Sequence, residues 1–133
     1  MTIVVDASVA AQWVLDEPGT QRALALQNHD ALIAPSLIAS EIGNALWKAV
    51  RRGDVAGADA LAAIKAILIP FEALIPVEEL RARALEIAIE LDHPIYDCFY
   101  LALAERERCA MVTADERLLK AVKKLKGVKV RAL

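Results

Sequence analysis

Short apolar runs alternate with helix-like segments along the whole chain, and this alternation limits the fold more than any other feature. Strands are predicted at five runs: TIVVD, ALIAP, FEALIPV, CAMVTA and VKVRAL. The segments between them are helical, the longest being PSLIASEIGNALWKAVRRG, with Pro35 at its start and Gly53 after its last turn. Strands separated by helices build βαβ units. The sequence therefore predicts a three-layer α/β fold, in which a mostly parallel sheet of about five strands carries helices on both faces.

The length of 133 residues fits a single domain spanning residues 1–133. Hydrophobic residues make up 57% of the chain, which favours several buried elements or an apolar surface kept for a partner. No apolar stretch reaches the roughly 20 residues of a membrane span. The first residues lack a basic region, so no signal peptide and a cytoplasmic location are expected. Cys98 and Cys109 have no disulfide-framework spacing and are expected to be reduced thiols.

The net charge of −2 conceals an uneven distribution. Residues 117–133 contain seven lysines and arginines and no acid, so residues 1–116 hold the other 9 basic residues and all 18 acidic ones. A basic end on an acidic body could contact a polyanion while the body binds cations. The alternative is that these basic residues form only a solubilising face of the last helix.

Four acidic residues stand at the ends of predicted strands or in segments that look buried. Asp6 follows the first strand and Asp115 follows CAMVTA, so both carboxylates are expected at the same edge of the sheet. In open parallel sheets, ligands bind at this edge where the strand order reverses. Asp97 lies in the first turn of a later helix. Glu41 lies in an apolar helix, and Asn44, one turn later on the same face, is a candidate supporting residue.

Each of these acids also has a structural interpretation. Asp6 and Asp115 could cap helices, and Asp97 could complement a helix dipole. Glu41 could pair with a basic residue later in its helix. Gathered at one edge, however, buried carboxylates repel one another unless some are protonated or a cation is bound. Taken together, the four acids favour a metal site.

The ligand type limits the metal. The acids offer only oxygen, without cysteine or a usefully spaced histidine, which suits Mg²⁺, with Mn²⁺ as a substitute, rather than zinc. His29 and His93 are interpreted as structural. Ser8 and Thr113 lie beside the acids, where their hydroxyls could orient a carboxylate or hold metal-bound water. Magnesium on a carboxylate cluster usually implies a phosphate substrate.

At these residues the sequence resembles the PIN domain, specifically the VapC-type toxins of bacterial and archaeal toxin–antitoxin pairs. The similarity rests on four motifs that follow in matching order along the chain: VVDASV, SEIGNAL, HPIYDCFYLALA and VTADERLL. It implies a magnesium-dependent endoribonuclease that hydrolyses RNA phosphodiester bonds, built on a sheet of order 3-2-1-4-5. It also implies a homodimer that a cognate VapB-type antitoxin holds inactive.

The resemblance further implies roles for individual residues. The acidic positions of the family fall on four residues here: Asp6, Glu41, Asp97 and Asp115. Its small polar and hydroxyl positions fall on Ser8 and Thr113. Asp6 and Asp97 are the first-choice metal ligands. Glu41 and Asp115 would complete the site directly or through water, or would help to deprotonate the attacking water.

Other doubly wound families fit less well. A phosphoryl-receiver domain would need an acceptor aspartate directly after the third strand, which FEALIPVEEL does not offer. A haloacid-dehalogenase-type phosphatase would need an aspartate two residues after Asp6, where Ser8 stands. The alternative from another class is a non-catalytic PIN-like module that binds protein or RNA. Metal-dependent RNA cleavage that is abolished by Asp6→Asn would separate this module from an enzyme.

An apolar groove for an antitoxin segment is expected along the early helices, because large exposed apolar patches usually mark binding sites. Its predicted lining consists of Trp13, Val14, Leu24 and Trp47. The alternative is that both tryptophans are ordinary core residues.

Two basic groups are expected to position RNA, since flanking cations must offset the repulsion between carboxylates and phosphate. One group, at the end of the Glu41 helix, comprises Lys48, Arg51 and Arg52, and the other is the run from Lys120 to Lys126. The alternative for Arg51 and Arg52 is that they stabilise the C-terminus of their helix.

Overall fold

The computed structural model describes residues 1–133 except for the side chain of His29, so the interpretation of His29 lies outside the described residues. Within them, five strands form one sheet: β1 (Thr2–Val5), β2 (Ala31–Pro35), β3 (Phe71–Ile75), β4 (Ala110–Thr113) and β5 (Val130–Ala132). The helices are α1 (Ala7–Ala10), α2 (Thr20–His29), α3 (Ile38–Arg51), α4 (Gly57–Ala66), α5 (Arg81–Leu91), α6 (Ile95–Glu107) and α7 (Glu116–Ala121). Short 3-10 turns occupy Ala11–Trp13, Val77–Glu79 and Val122–Lys124.

The sheet has the order β3-β2-β1-β4-β5, and every neighbouring pair is parallel. This confirms the α/β class and the strand order. The chain runs from β1 outward to β3, returns to β4 beside β1, and continues to β5, so the order reverses between β1 and β4. Because such crossovers are right-handed, the reversal places α1 to α4 on one face and α5 to α7 on the other.

The central strands are buried after their first residue. Ile3, Val4 and Val5 of β1 have no exposed surface, and Met111 and Val112 of β4 are almost as inaccessible. Continuous apolar strands of this kind are typical of parallel sheets covered on both faces. The buried side chains of the strands and helices form one continuous core. No helix in the described part of the chain is long and apolar enough to cross a membrane.

The predicted start of α3 at Pro35 is wrong. Pro35 is the last residue of β2, where it lies opposite Ile75 of β3, and α3 begins at Ile38. Proline has a fixed φ and no N–H, which suits the end of a strand as well as the first turn of a helix, so the residue alone does not separate the two. The predicted end is confirmed, because Gly53 follows α3 with a φ of +82°.

The helical hairpin of α5 and α6 presents Asp97 at the sheet edge. Asp92 turns the chain after α5 in the left-handed region, at a φ of 50°, and Pro94 stands directly before α6. Arg83 of α5 donates two hydrogen bonds to the Glu105 carboxylate of α6, at 2.7 and 2.9 Å. This ion pair joins the two helices near the C-terminal end of α6, whereas Asp97 lies in the first turn of α6, directly after the turn at Asp92 and Pro94.

Candidate active site

Asp6 lies at the switch point of the sheet and is only 3% exposed. Its N–H donates to the carbonyl oxygen of Val112 at 3.1 Å, which ties the end of β1 to β4. Its Oδ2 accepts hydrogen bonds from the hydroxyls of Thr113 at 2.6 Å and Ser8 at 2.8 Å. The Asp6 side chain makes no capping bond to α1. The helix-cap interpretation therefore does not describe this residue, whose carboxylate is held by hydroxyl groups.

Ser8 and Thr113 link the two strand ends. Their hydroxyl oxygens lie 3.3 Å apart. The Ser8 hydroxyl also accepts from the N–H of Ala114 at 3.0 Å, and the Thr113 hydroxyl from the N–H of Asp115 at 3.1 Å. Because both backbone groups use the hydroxyl oxygens as acceptors, the hydroxyl hydrogens are free to point at the Asp6 carboxylate.

Glu41 projects from α3 toward α6. The hydroxyl of Tyr100 donates to its Oε1 at 2.6 Å, and the described residues show no ion pair between Glu41 and a basic group. Burial raises the pKa of Glu41 to about 7, the bond from Tyr100 opposes this shift, and the charges of Asp6 and Asp97 add to it. The ion-pair interpretation of Glu41 is therefore wrong.

Asp97 completes a set of three interacting acids. Burial is the main reason why the pKa of Asp6 is raised, and the charge of Asp97 raises it further, while the two hydroxyl donors lower it. Since Asp97 acts on both Asp6 and Glu41, the structure brings these three side chains within electrostatic range of one another. His93, interpreted from sequence as structural, has its Nε2 2.7 Å from Oδ2 of Asp97.

Asp115 has a different environment. Its Oδ1 accepts from the N–H groups of Arg117 at 2.8 Å and Leu118 at 3.4 Å, so it caps α7. Its own N–H donates to the Thr113 hydroxyl, which in turn donates to the Asp6 carboxylate. The cap is present, as the structural alternative anticipated, and a part in metal binding stays a prediction.

A cleft of about 290 Å³ opens beside Glu41. Asn44 and Lys48 line it from α3, and Ser8 lines it from the opposite side. The other two basic candidates have partners elsewhere. The guanidinium carbon of Arg51 lies 5.4 Å from the centroid of the Trp47 ring, and Arg52 pairs with Asp54 at 2.9 Å. Lys48 is thus the member of that group that borders the acids.

The chemistry of these donors fits a hard divalent cation. The set offers only oxygen, and a cation would relieve the repulsion that helps to raise the pKa of Asp6 and of Glu41. Across the described residues, no three histidine, cysteine or acidic side chains are close enough to hold one ion together. Magnesium typically takes only one or two carboxylates and completes its shell with water and substrate phosphate. The residues therefore fit an open magnesium site.

Tyr100 and His93 touch the acids and were not recognised from the sequence. Both lie about one helical turn from Asp97 in sequence. His93 comes four residues before Asp97, and Tyr100 comes three residues after it. A buried tyrosine needs a hydrogen-bond partner. The polar Tyr100 within the apolar run CFYLALA was the available signal.

The residues predicted to line one apolar groove lie in two separate clefts against different faces of α4. The first, of about 230 Å³, is lined by Trp13, Val14 and Leu24 together with α4. The second, of about 300 Å³, is lined by Trp47 and Leu61. Trp47 is 55% exposed, so the core interpretation is wrong for this residue.

Comparison with known proteins gives matches along nearly the whole chain. A family model described as the PIN domain matches residues 3–125. Ribonuclease VapC9 of Mycobacterium tuberculosis is 36% identical over 116 residues, which are 87% of each chain. PAE2754 from Pyrobaculum aerophilum has a TM-score of 0.71 at 28% identity, covering 98% of this chain and 89% of its own. VapBC2 from Rickettsia felis, bound to a DNA fragment from their promoter, has a TM-score of 0.72 and covers 100% of this chain and 99% of its own; at 14% identity it supports the fold alone.

Proposed function

This chain belongs to the PIN domain family and, within it, to the VapC-type proteins, and on that premise we propose that it is a magnesium-dependent endoribonuclease, the toxin of a toxin–antitoxin pair. The observation that carries the proposal is the convergence of Asp6, Glu41 and Asp97 at the switch point of the sheet. Relatives at 33% and 36% identity are named ribonucleases, and one at 34% identity is named an exonuclease. A module that only bound protein or RNA would gain nothing from burying mutually repelling carboxylates.

Asp6 and Asp97 would hold the magnesium ion, with Glu41 and Asp115 contributing through water. The bound ion supplies a Lewis acid that activates water and stabilises charge on the phosphate. The hydroxyls of Thr113 and Ser8 orient the Asp6 carboxylate and favour its ionised form, against the rise in its pKa that burial causes. Glu41, whose pKa burial raises to about 7, can accept a proton from the attacking water near neutral pH.

The decisive experiment is cleavage of a labelled single-stranded RNA by wild type, Asp6→Asn and Asp97→Asn, with Mg²⁺ or with EDTA. We expect each variant to lose more than about 100-fold in rate, since loss of a group that merely supports a ligand already costs about 10- to 100-fold. Circular dichroism should show that both variants fold. Asp16→Asn is the matched control, because Asp16 is exposed and makes no side-chain hydrogen bond in the described chain.

Two results would contradict the proposal. Cleavage that survives in both variants would show that these acids do not carry the reaction. Wild-type protein that binds RNA without cutting it, at any magnesium concentration, would favour the non-catalytic module.

For the inhibitory partner, we propose a VapB-type antitoxin whose apolar segment occupies the clefts on the two faces of α4. The support is their lining by exposed apolar side chains, which include Trp47, Leu61 and Leu24.

For the homodimer that the family implies, the support is α5, where Leu85 and Ile89 are both exposed one turn apart.

A further inference from the structure

Tyr100 is a buried polar residue to which the proposed function gives no part. It lies in the middle of α6 with none of its surface exposed. A buried hydroxyl without a partner costs free energy, and the partner of this one is Oε1 of Glu41, 2.6 Å away on α3. A phenylalanine would fill nearly the same volume and need no partner. The hydroxyl group is therefore explained by Glu41 and not by packing.

The fixed and the movable partner in this bond can be told apart. The Tyr100 ring is enclosed by the core, and α6 packs against β1, β2 and β4. Glu41 is partly exposed, its side chain has several rotatable bonds, and Tyr100 is its side-chain hydrogen-bond partner in the described chain. The phenol therefore restricts the carboxylate, and not the reverse.

Tyr100 also lies on the side of α6 that bears Asp97, three residues away. One face of one helix thus carries an acid of the site and the group that holds another acid from α3. The backbone amide of Ala7, next to Asp6, is close enough to the Tyr100 hydroxyl to oppose the rise that burial causes in the pKa of Tyr100. The bond joins α6 to α3 at the point where Asp6, Glu41 and Asp97 converge.

We propose that Tyr100 is a positioning residue for the site: its hydroxyl holds the Glu41 carboxylate toward Asp6 and Asp97 and so strengthens the binding of a divalent cation. The inference rests on the proposed function, because it requires that this site binds the cation.

The test is calorimetric titration of metal-free protein with Mn²⁺ and with Mg²⁺, without RNA. Tyr100→Phe is expected to weaken binding about 10-fold, the lower end of the loss seen when a group that orients a ligand is removed. Tyr96→Phe, on the same helix, is the matched control. Tyr96 is 60% exposed and donates no side-chain hydrogen bond within the described residues, so its affinity should equal that of wild type.

A double-mutant cycle separates positioning from packing. If Tyr100 acts through Glu41, Tyr100→Phe should have no further effect on affinity in a Glu41→Gln background. If Tyr100→Phe does not fold, Glu41→Asp replaces it, because a side chain one methylene shorter draws the carboxylate away from the phenol while keeping the charge. Glu41→Asp is expected to lose about as much affinity as Tyr100→Phe.

The outcomes are distinct. Unchanged affinity in Tyr100→Phe, with wild type binding the cation, would overturn this inference and leave the proposed function standing. An equal loss in the presence and in the absence of the Glu41 carboxylate would also overturn it, since the effect would then come from packing. Wild type that binds neither cation at this site would overturn the proposed function itself.

Discussion

Asp6 and Glu41 are both shielded from water, but they differ in the number of hydroxyl groups that donate hydrogen bonds to them. Two hydroxyls donate to a single oxygen of Asp6, whereas one phenol donates to Glu41. Donors to the ionised form lower the pKa of an acid, against the rise that burial causes. The ionised form of Asp6 is therefore stabilised by two hydrogen bonds despite its burial. Glu41 has only one such donor, and its pKa is about 7.

Glu41 should make the stability of the metal-free protein depend on pH. Burial raises its pKa from the ordinary 4.5 to about 7, so in this window the folded protein keeps a proton that the unfolded chain has released. The free energy of unfolding therefore falls as the pH rises from 4.5 toward 7. Asp6, whose pKa burial also raises, acts in the same direction.

Urea denaturation in EDTA at about pH 5 and about pH 8 measures this dependence. Glu41→Gln should show a smaller fall in stability between the two conditions, and Mg²⁺ should restore stability to the wild type at the higher pH. A fall of the same size in Glu41→Gln would show that other groups are responsible.

At the scale of single elements, the sequence predicted the place of a residue where the end of one strand determines it. Asp6 and Asp115 could be placed at the sheet edge because the ends of parallel strands coincide there. The bond between Tyr100 and Glu41 could not be predicted, since it depends on how α6 and α3 pack across the end of β1, and no local pattern encodes that distance. The strand order followed from resemblance and not from periodicity, because alternation of strands and helices does not say which strands are neighbours.

Helix α4 should carry the contacts that decide antitoxin binding. Leu61→Lys places a charge in the cleft beside Trp47 and should weaken binding about 10-fold or more, because a buried leucine contributes about 1.5–3 kcal/mol and 1.4 kcal/mol corresponds to a factor of ten. Ile69→Lys is the matched control, since Ile69 is more exposed than Leu61 and lines neither cleft. Calorimetry with the cognate antitoxin gives both affinities.

The chain contains two tryptophans, so Trp47→Phe leaves Trp13 as a single reporter in the first cleft. Its fluorescence should change when the antitoxin binds. A spectrum that stays constant, or equal affinities for Leu61→Lys and Ile69→Lys, would mean that the antitoxin binds elsewhere.

At the scale of the whole molecule, the charges divide into paired and unpaired groups. Arg52, Arg83 and Arg106 make ion pairs with acidic side chains. In contrast, the seven basic residues of 117–133 make none within the described structure. α7 begins directly after Asp115 at the edge that carries the acids, and β5 is an outer strand of the sheet. The unpaired basic residues of α7 and of the segment that follows it are exposed and begin next to the candidate site, whereas Lys129 and Arg131 line a cleft together with Glu105 and Glu107.

The exposed basic residues of α7 and of the segment that follows it should contribute to RNA binding through phosphate contacts. In an Asp6→Asn background, each of Lys120→Gln, Lys123→Gln and Lys124→Gln should reduce the slope of log affinity against log salt by about 0.7 for single-stranded RNA. Lys65→Gln, on α4, is the control and should leave the slope unchanged. Equal slopes for all four variants would assign the basic residues to solubility.

The position of β1 in the middle of the sheet has a consequence for the order in which the parts of the candidate site are synthesised. The two clefts on α4 are built from residues 13–70, which leave the ribosome early. Asp97 and Thr113, which Asp6 needs as neighbours, are synthesised only afterwards, and the edge of β1 stays open until β4 arrives. During translation, the residues that line the surface proposed for the inhibitor are therefore synthesised before Asp97 and Thr113.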